Sequence, residues 1–245
     1  MKITNILISQ PEPVNNSPYS EIISKHKVSI DFQPFFRVEA LNTKEFRTQK
    51  ININDYTAIV FTARTAIDAF FKLCEELRVS IPETMKYFCI SESIALYLQK
   101  HIVYRKRKIF FGNCTLDSVI EAIGSKHKDE KFLLASVDTA KNDLNKKFIK
   151  AKFKHDTAVF IKTIYSDLSK LDLQKYQMIV FYSPSDIKSL YENFPDFEQK
   201  NLQFAIYGPA TAKAMKAAKL SAVISAPTPE APSIAKALDL YFDKK

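Results

Sequence analysis

Short apolar runs in this chain repeatedly end in small hydroxyl or turn residues. They are Ser9-Gln10-Pro11, Thr62-Ala63-Arg64-Thr65, Ser91-Glu92-Ser93, Ser183-Pro184-Ser185 and Tyr207-Gly208-Pro209-Ala210-Thr211, with Ala226-Pro227-Thr228-Pro229 closing the series. Each leads into a helical pattern. The first amides of a helix have no intrahelical acceptor and its dipole favours negative charge there, so the chemistry on offer is recognition of anions. Taken singly, each Ser or Thr reads as an ordinary helix cap. Their interest is collective, and none is read as a nucleophile.

Other chemistries lack their signatures. There is no GxGxxG and no GxxxxGK[ST], and Gly112, Gly124 and Gly208 are the only glycines, which argues against a nucleotide-cradling loop. His26, His101, His127 and His155 show no HExxH or other ligand spacing, and Cys74, Cys89 and Cys114 are too few and too scattered for a cysteine-based zinc site. No GxSxG elbow is present. No metal and no redox chemistry is therefore expected. Cys74 and Cys89 fall in apolar segments and read as buried free thiols, which points to a reducing compartment.

The elements that must position these residues alternate along the chain. β-rich runs at Ile6-Leu7-Ile8, Val28 to Phe32, Ile59-Val60-Phe61, Tyr87 to Ile90, Ile109-Phe110-Phe111, Phe132-Leu133-Leu134, Ile179-Val180-Phe181, Phe204-Ala205-Ile206 and Val223-Ile224 are separated by amphipathic stretches. The latter include Ala66 to Leu77, Ile94 to Lys100, Leu116 to Ile123, Ile187 to Phe194, Thr211 to Lys219 and Ile234 to Phe242. Near-continuous apolar runs suit strands covered on both faces, and strand alternating with helix predicts an α/β protein with parallel sheets. In such sheets ligands bind beyond the carboxyl ends of the strands, where the hydroxyl-rich turns fall.

The pattern occurs twice. Tyr56-Thr57-Ala58-Ile59-Val60-Phe61 is echoed by Tyr176-Gln177-Met178-Ile179-Val180-Phe181, and the echo continues through Thr65/Ser185, Ile67/Ile187 and Phe71/Tyr191. Ser91-Glu92-Ser93-Ile94-Ala95 then aligns with Gly208-Pro209-Ala210-Thr211-Ala212. We read two similar lobes with a cleft between them. Residues 35–45 and 152–165 are extended in character without a helical stripe and are expected to be linkers. Residues 1–34 with 166–245 would then form a discontinuous first lobe, and residues 46–151 the second. Two lobes on two linkers are expected to open and close.

Composition limits the partner. Lys and Arg number 36 against 27 Asp and Glu, a formal net charge of +9, which favours an anionic ligand. The basic tract Tyr104-Arg105-Lys106-Arg107-Lys108 is short enough to be a solvated strand lead-in, although a nucleic-acid-binding module would use such a tract. The opening apolar stretch is too short for a signal peptide, and no run is long enough to span a bilayer. A cytoplasmic monomer that binds neither membrane nor nucleic acid is expected.

Several of these segments resemble one family. Ile179-Val180-Phe181-Tyr182-Ser183-Pro184-Ser185 followed by Gly208-Pro209-Ala210-Thr211-Ala212-Lys213-Ala214 resembles the second half of uroporphyrinogen-III synthase. Val60-Phe61-Thr62 with Arg64 and Ala66 resembles its matching strand end, and Pro227 to Ser233 its segment before the last helix. The resemblance implies two domains joined by two extended linkers. It also implies a cofactor-independent closure of the linear tetrapyrrole hydroxymethylbilane to uroporphyrinogen III, with inversion of the last pyrrole. Loss of the substrate hydroxyl gives an azafulvene, and a spiro intermediate follows. The substrate carries an acetate and a propionate on every pyrrole, a cargo suited to helix starts in a basic protein. Substrate-binding positions would be Thr62, Arg64, Thr65, Ser93, Ser183, Ser185, Tyr207 and Thr211. The chain departs from the family at Ala63 for a usual Ser, at Ser91 and Ile94 for Gly and Thr, and at Asp186 for a usual Gly. It also has Ile161 at a linker position where the family often has a Tyr considered for assisting hydroxyl loss. These departures leave open a non-catalytic relative that binds a tetrapyrrole or another polyanion.

Overall fold

A computed structural model describes residues 3–14, 17–139 and 143–244. The chain divides into two compact units, Met1–Arg37 with Ile164–Lys245, and Val38–Thr163.

The first unit is built on β1 (Asn5–Ile8), β2 (Ser29–Phe32), β9 (Met178–Phe181), β10 (Gln203–Tyr207) and β11 (Ile224–Ala226). They form one sheet in the order β11-β10-β9-β1-β2, every neighbouring pair parallel. Successive side chains leave opposite faces of a strand, so each apolar run feeds two cores. Ile6, Ile8, Met178, Val180, Ala205 and Ile224 pack on one face with Ile22 of α1 (Ser20–His26) and Ile234 and Leu238 of α9 (Ile234–Asp243). Leu7, Ile179, Phe181, Phe204 and Ile206 pack on the other, with Ile187 and Leu190 of α7 (Pro184–Asn193) and Met215 of α8 (Pro209–Ala217). All four residues of β9 are buried, which explains why its sequence is uninterrupted Met-Ile-Val-Phe.

The second unit repeats the plan. Its sheet takes β3 (Phe36–Ala40), β4 (Ala58–Phe61), β5 (Lys86–Cys89), β6 (Ile109–Phe111), β7 (Lys131–Val137) and β8 (Lys154–Tyr165) in the order β3-β8-β7-β4-β5-β6. One face packs Ile59, Phe61, Tyr87, Cys89 and Leu133 against α2 (Thr43–Arg47), α3 (Arg64–Leu77) and α4 (Glu92–Tyr97). The other packs Ala58, Val60, Phe88, Phe132 and Leu134 against α5 (Leu116–Ile123) and α6 (Asp143–Lys150). Phe70 of α3 meets Phe61 and Phe160 edge-on at 5.6 Å, an arrangement aromatic quadrupoles favour.

The nine strands and six helices expected from the apolar runs are present, and β3, α1, α2 and α6 are elements the periodicity did not announce. The extended segment 152–165 is more than a crossing, since Lys154 to Ile161 run parallel to β7 as a paired strand. Its first half (Lys154-His155-Asp156-Thr157) is polar, and the apolar run Ala158-Val159-Phe160-Ile161 begins only midway along the paired strand. The chain passes between units at Arg37/Val38 inside β3 and at Thr163/Ile164 inside β8. The helix expected to run to Lys100 finishes as a 3₁₀ turn at Leu98–Lys100.

Helix ends show how a chain with three glycines closes its helices. The left-handed position that glycine usually fills is taken by Lys27 after α1, Arg78 after α3, Lys152 after α6 and Lys219 after α8, with φ of 54°, 55°, 59° and 56°.

Candidate functional site

In both units the carboxyl ends of the strands lead straight into helix starts, and those starts differ in how their amides are used. In the first unit β9 runs into α7, whose N-cap is Ser183. Ser183 Oγ accepts the Ser185 amide at 3.2 Å, while Asp186 Oδ2 accepts the amides of Tyr182 and Ser183, each at 2.8 Å. This reciprocal arrangement is a capping box, so the start of α7 is served by its own side chains. The next crossover, from β10 into α8, is different. Its N-cap Gly208 has φ +85° and no side chain to cap with, and Pro209 has no N–H. A Cβ at Gly208 would meet nothing within 4 Å, so the glycine serves the backbone turn and leaves the space over the helix start open.

Thr211, expected at this site, is 1% exposed, and its hydroxyl donates to the Tyr182 carbonyl at 3.2 Å. It ties the start of α8 to the end of β9. Ser185 and Tyr207 are half-buried. The Tyr207 ring lies 5.8 Å from that of Tyr182 at an interplanar angle of 32°. Tyr182 in turn shares a short hydroxyl–hydroxyl hydrogen bond with Tyr19, the N-cap residue of α1. Burial raises the pKa of both Tyr19 and Tyr182, keeping them as neutral phenols.

Ser9 follows β1 and donates its amide to the Val180 carbonyl at 3.1 Å. Its side chain is buried, and so is Asp186 at 1% exposure. Ser9 Oγ and Asp186 Oδ1 both lack a partner at hydrogen-bonding geometry, although the Ser9 hydroxyl is close enough to favour the ionised carboxylate. Burial outweighs that help and the two backbone donors, pushing Asp186 up to about 6.

In the second unit β4 runs into α3. The N-cap is Ala63, which has no side-chain acceptor, so the first amides of this fourteen-residue helix have no side-chain cap. Arg64 opens the helix, exposed, with its guanidinium 5.3 Å from the centre of the Tyr97 ring. Tyr97 donates to Asp68 at 2.8 Å, and His101 lies 2.8 Å from the same carboxylate. Asp68 is held below the usual carboxylate range by these two partners in spite of its partial burial. Thr65 borders a small cavity of about 190 Å³ together with Asp68, Lys72 and Ile161. Thr62 lies in another, of about 220 Å³, with Ser136, Thr157 and Asn145. Ser93 is exposed on α4, its hydroxyl 3.1 Å from that of Ser91, which as N-cap makes no side-chain cap bond.

The structure thus brings Ser183, Ser185, Tyr207 and Thr211 to one edge of the first sheet, and Thr62, Arg64, Thr65 and Ser93 to strand ends of the second. Among the described residues, one His-containing group could hold a metal by geometry: His26, Asp239 and Asp243. Lys25 donates to both carboxylates at 2.8 Å and occupies that role.

Against known protein families, residues 17–236 match the model described as uroporphyrinogen-III synthase HemD. The chain belongs to the uroporphyrinogen-III synthase family. Two solved structures share its fold over nearly the full length of both chains. One is a mutant uroporphyrinogen III synthase from the extreme thermophile Thermus thermophilus, with TM-score 0.60 and 11% identity over 98% of each chain. The other is uroporphyrinogen-III synthetase from Helicobacter pylori, with TM-score 0.59 and 14% identity over 99% of this chain and 100% of that one. No curated protein sequence matches the chain. Members of the uroporphyrinogen-III synthase family are cofactor-independent cyclising lyases of tetrapyrrole biosynthesis acting on hydroxymethylbilane. Among the described residues no helix is long and apolar enough to cross a membrane.

Sequence reasoning singles out Asp186 only as a departure from the family, yet the Ser183-to-Asp186 spacing is a legible capping-box signal. The Tyr19–Tyr182 pair has no such signal, because its members are 163 residues apart and meet only through the sheet.

Proposed function

We propose that this chain is a working uroporphyrinogen-III synthase in which the start of α8 in the first unit and the start of α3 in the second each offer amides to the acetates and propionates of hydroxymethylbilane. The family match over residues 17–236 supports the reaction. The observation that carries the site is that both helices begin without a side-chain cap, on Ala63 and Gly208, whereas α7 is capped internally. An amide without a protein acceptor is a ready donor to a carboxylate, and donation to a charged group is worth roughly twice a neutral hydrogen bond. Arg64 adds a full positive charge at the start of α3, and the surplus of basic residues draws a polyanion in. Thr62, Thr65, Ser93, Ser183 and Ser185 supply shorter-range polar contacts, and Tyr207 places a hydroxyl beside the α8 start. Thr211 contributes by fixing the α8 start in place.

In this reading catalysis rests on holding a flexible chain so that its last pyrrole attacks in the inverted sense, and on helping hydroxide depart. The chain acts as a cytoplasmic monomer on a small molecule, without a cofactor and without nucleic acid. The test is to supply hydroxymethylbilane generated enzymatically in situ and to separate the ring isomers by chromatography. The type III isomer is expected in excess over a protein-free control. Type I alone would refute the reading. Ala63, Ile94 and Ile161, where the polar residues usual in the family are absent, favour a second reading, a tetrapyrrole-binding relative without turnover. Tight binding of uroporphyrin with no isomer III would establish it.

A further inference from the structure

Departure of hydroxide from a hydroxymethylpyrrole needs a proton donor near the leaving oxygen, and the position occupied by Ile161 offers none. The histidines are engaged elsewhere. His26 lies 3.0 Å from Asp239, His101 2.8 Å from Asp68, His127 is buried beside Lys86, and His155 lies between Asn145 and the Phe153 carbonyl. Asp186 is buried and occupied with two backbone amides. Of the tyrosines gathered at the carboxyl edge of the first sheet, Tyr19 and Tyr182 spend their hydroxyls on each other.

Tyr207 differs from them. It is the last residue of β10, paired with Ala226 at the end of β11, and its ring is fixed beside Tyr182. It is only half-buried, and its hydroxyl has no hydrogen bond to any described residue. It immediately precedes Gly208 and the uncapped start of α8, where a substrate carboxylate would sit. A held ring with an uncommitted phenol beside an anion seat is placed to donate to a group carried by the anchored substrate.

We propose that Tyr207 is the catalytic acid for loss of the substrate hydroxyl, an inference that rests on the synthase reading above. As the C–O bond breaks, its electron pair leaves with oxygen. The phenolic proton passes to that oxygen, so water departs, and an azafulvenium cation and a Tyr207 phenolate remain. Attack by the pyrrole carbon of the last ring consumes the cation. The proton shed when aromaticity is regained after rearrangement returns to the phenolate, and the net change is loss of one water.

The experiment compares wild type and Y207F with hydroxymethylbilane generated in situ, scoring isomer III. Uroporphyrin, the oxidised ring with the same acetates and propionates, is titrated in parallel through its own fluorescence. The expected result is a kcat at least roughly a hundredfold lower in Y207F, within the range for removing a general acid. KM and uroporphyrin affinity should stay within about twofold, the pattern of an interaction made only in the transition state. A Y207F with wild-type kcat overturns the proposal, and so does a rise in KM alone, which would make Tyr207 a simple contact. Should Y207F lose its fold by circular dichroism, Y207L is read by the same criteria. A wild type yielding only isomer I removes the synthase reading and this proposal together, whereas an active wild type with an undiminished Y207F removes only the proposal.

Discussion

Asp186→Asn tests the polar centre of the first unit. The folded carboxyl is pushed up to about 6 from 3.8 by burial, a shift of about two pH units, or about 3 kcal/mol at 1.36 kcal/mol each. A raised folded pKa means that the folded state binds the proton more tightly than the unfolded chain. The stability contributed by protonation is therefore fully present below 3.8 and is lost as pH rises through about 6. Asn keeps an oxygen for the Tyr182 and Ser183 amides and places an N–H where Oδ1 lacks a partner, within reach of the unpartnered Ser9 hydroxyl. It carries no charge to bury. D186N should consequently match or slightly exceed wild type at pH 4.5 and exceed it increasingly towards pH 7.5. The gap should widen by about 2 kcal/mol over that interval from linkage alone. Because the chain has no Trp, urea unfolding is followed by far-UV circular dichroism and tyrosine emission at both pH values. A stability difference that stays constant with pH to within about 0.5 kcal/mol would refute the reasoning, since only a group titrating differently in the two states can open the gap.

Three further outcomes are expected. Arg64→Ala should raise KM for hydroxymethylbilane by roughly three- to tenfold with kcat nearly unchanged, more so at low ionic strength, because it removes an exposed charge at the start of α3; steady-state kinetics at two salt concentrations check it. Cys74 and Cys89 are buried and pushed up to about 12, whereas Cys114 is exposed, so a disulfide reagent at pH 8 should modify one thiol quickly in the native protein and all three in urea. Lys219→Gly should stabilise by roughly 0.5–1 kcal/mol, read as a higher urea midpoint, because φ of 56° after α8 suits glycine without strain.

Much of this architecture is legible in the residues. The runs Ala58-Ile59-Val60-Phe61 and Met178-Ile179-Val180-Phe181 are apolar at every position because both faces of each strand are covered, and that alone marks the two sheet centres. The crossover residues around Thr62 and Ser183 follow from where those runs stop. Strand β8 is harder to read because Lys154, Asp156 and Thr157 put polar side chains on a strand near the sheet edge, where one flank needs no apolar cover. Which helix starts keep their amides available cannot be read from hydroxyl residues alone. Ser183 caps α7, Thr211 is buried and braces the end of β9, and the starts without a side-chain cap fall both on a residue with a hydroxyl, Ser91, and on residues with no polar side chain, Ala63 and Gly208. Contacts between residues distant in sequence, such as the Tyr19–Tyr182 hydroxyl pair, are not encoded in local spacing.

Strand order also governs the timetable of synthesis on the ribosome. β1 lies between β2 and β9, so one of its flanks stays open until Met178–Phe181 emerges, after Val38–Thr163 already has everything its own sheet requires. The nascent N-terminal segment must carry Ile6, Leu7 and Ile8 bare through that interval, a ribbon of two strands too small to hold itself together. A messenger truncated before β9 would therefore yield one well-formed body trailing an adhesive strand, and chaperone demand should concentrate on that stretch of translation.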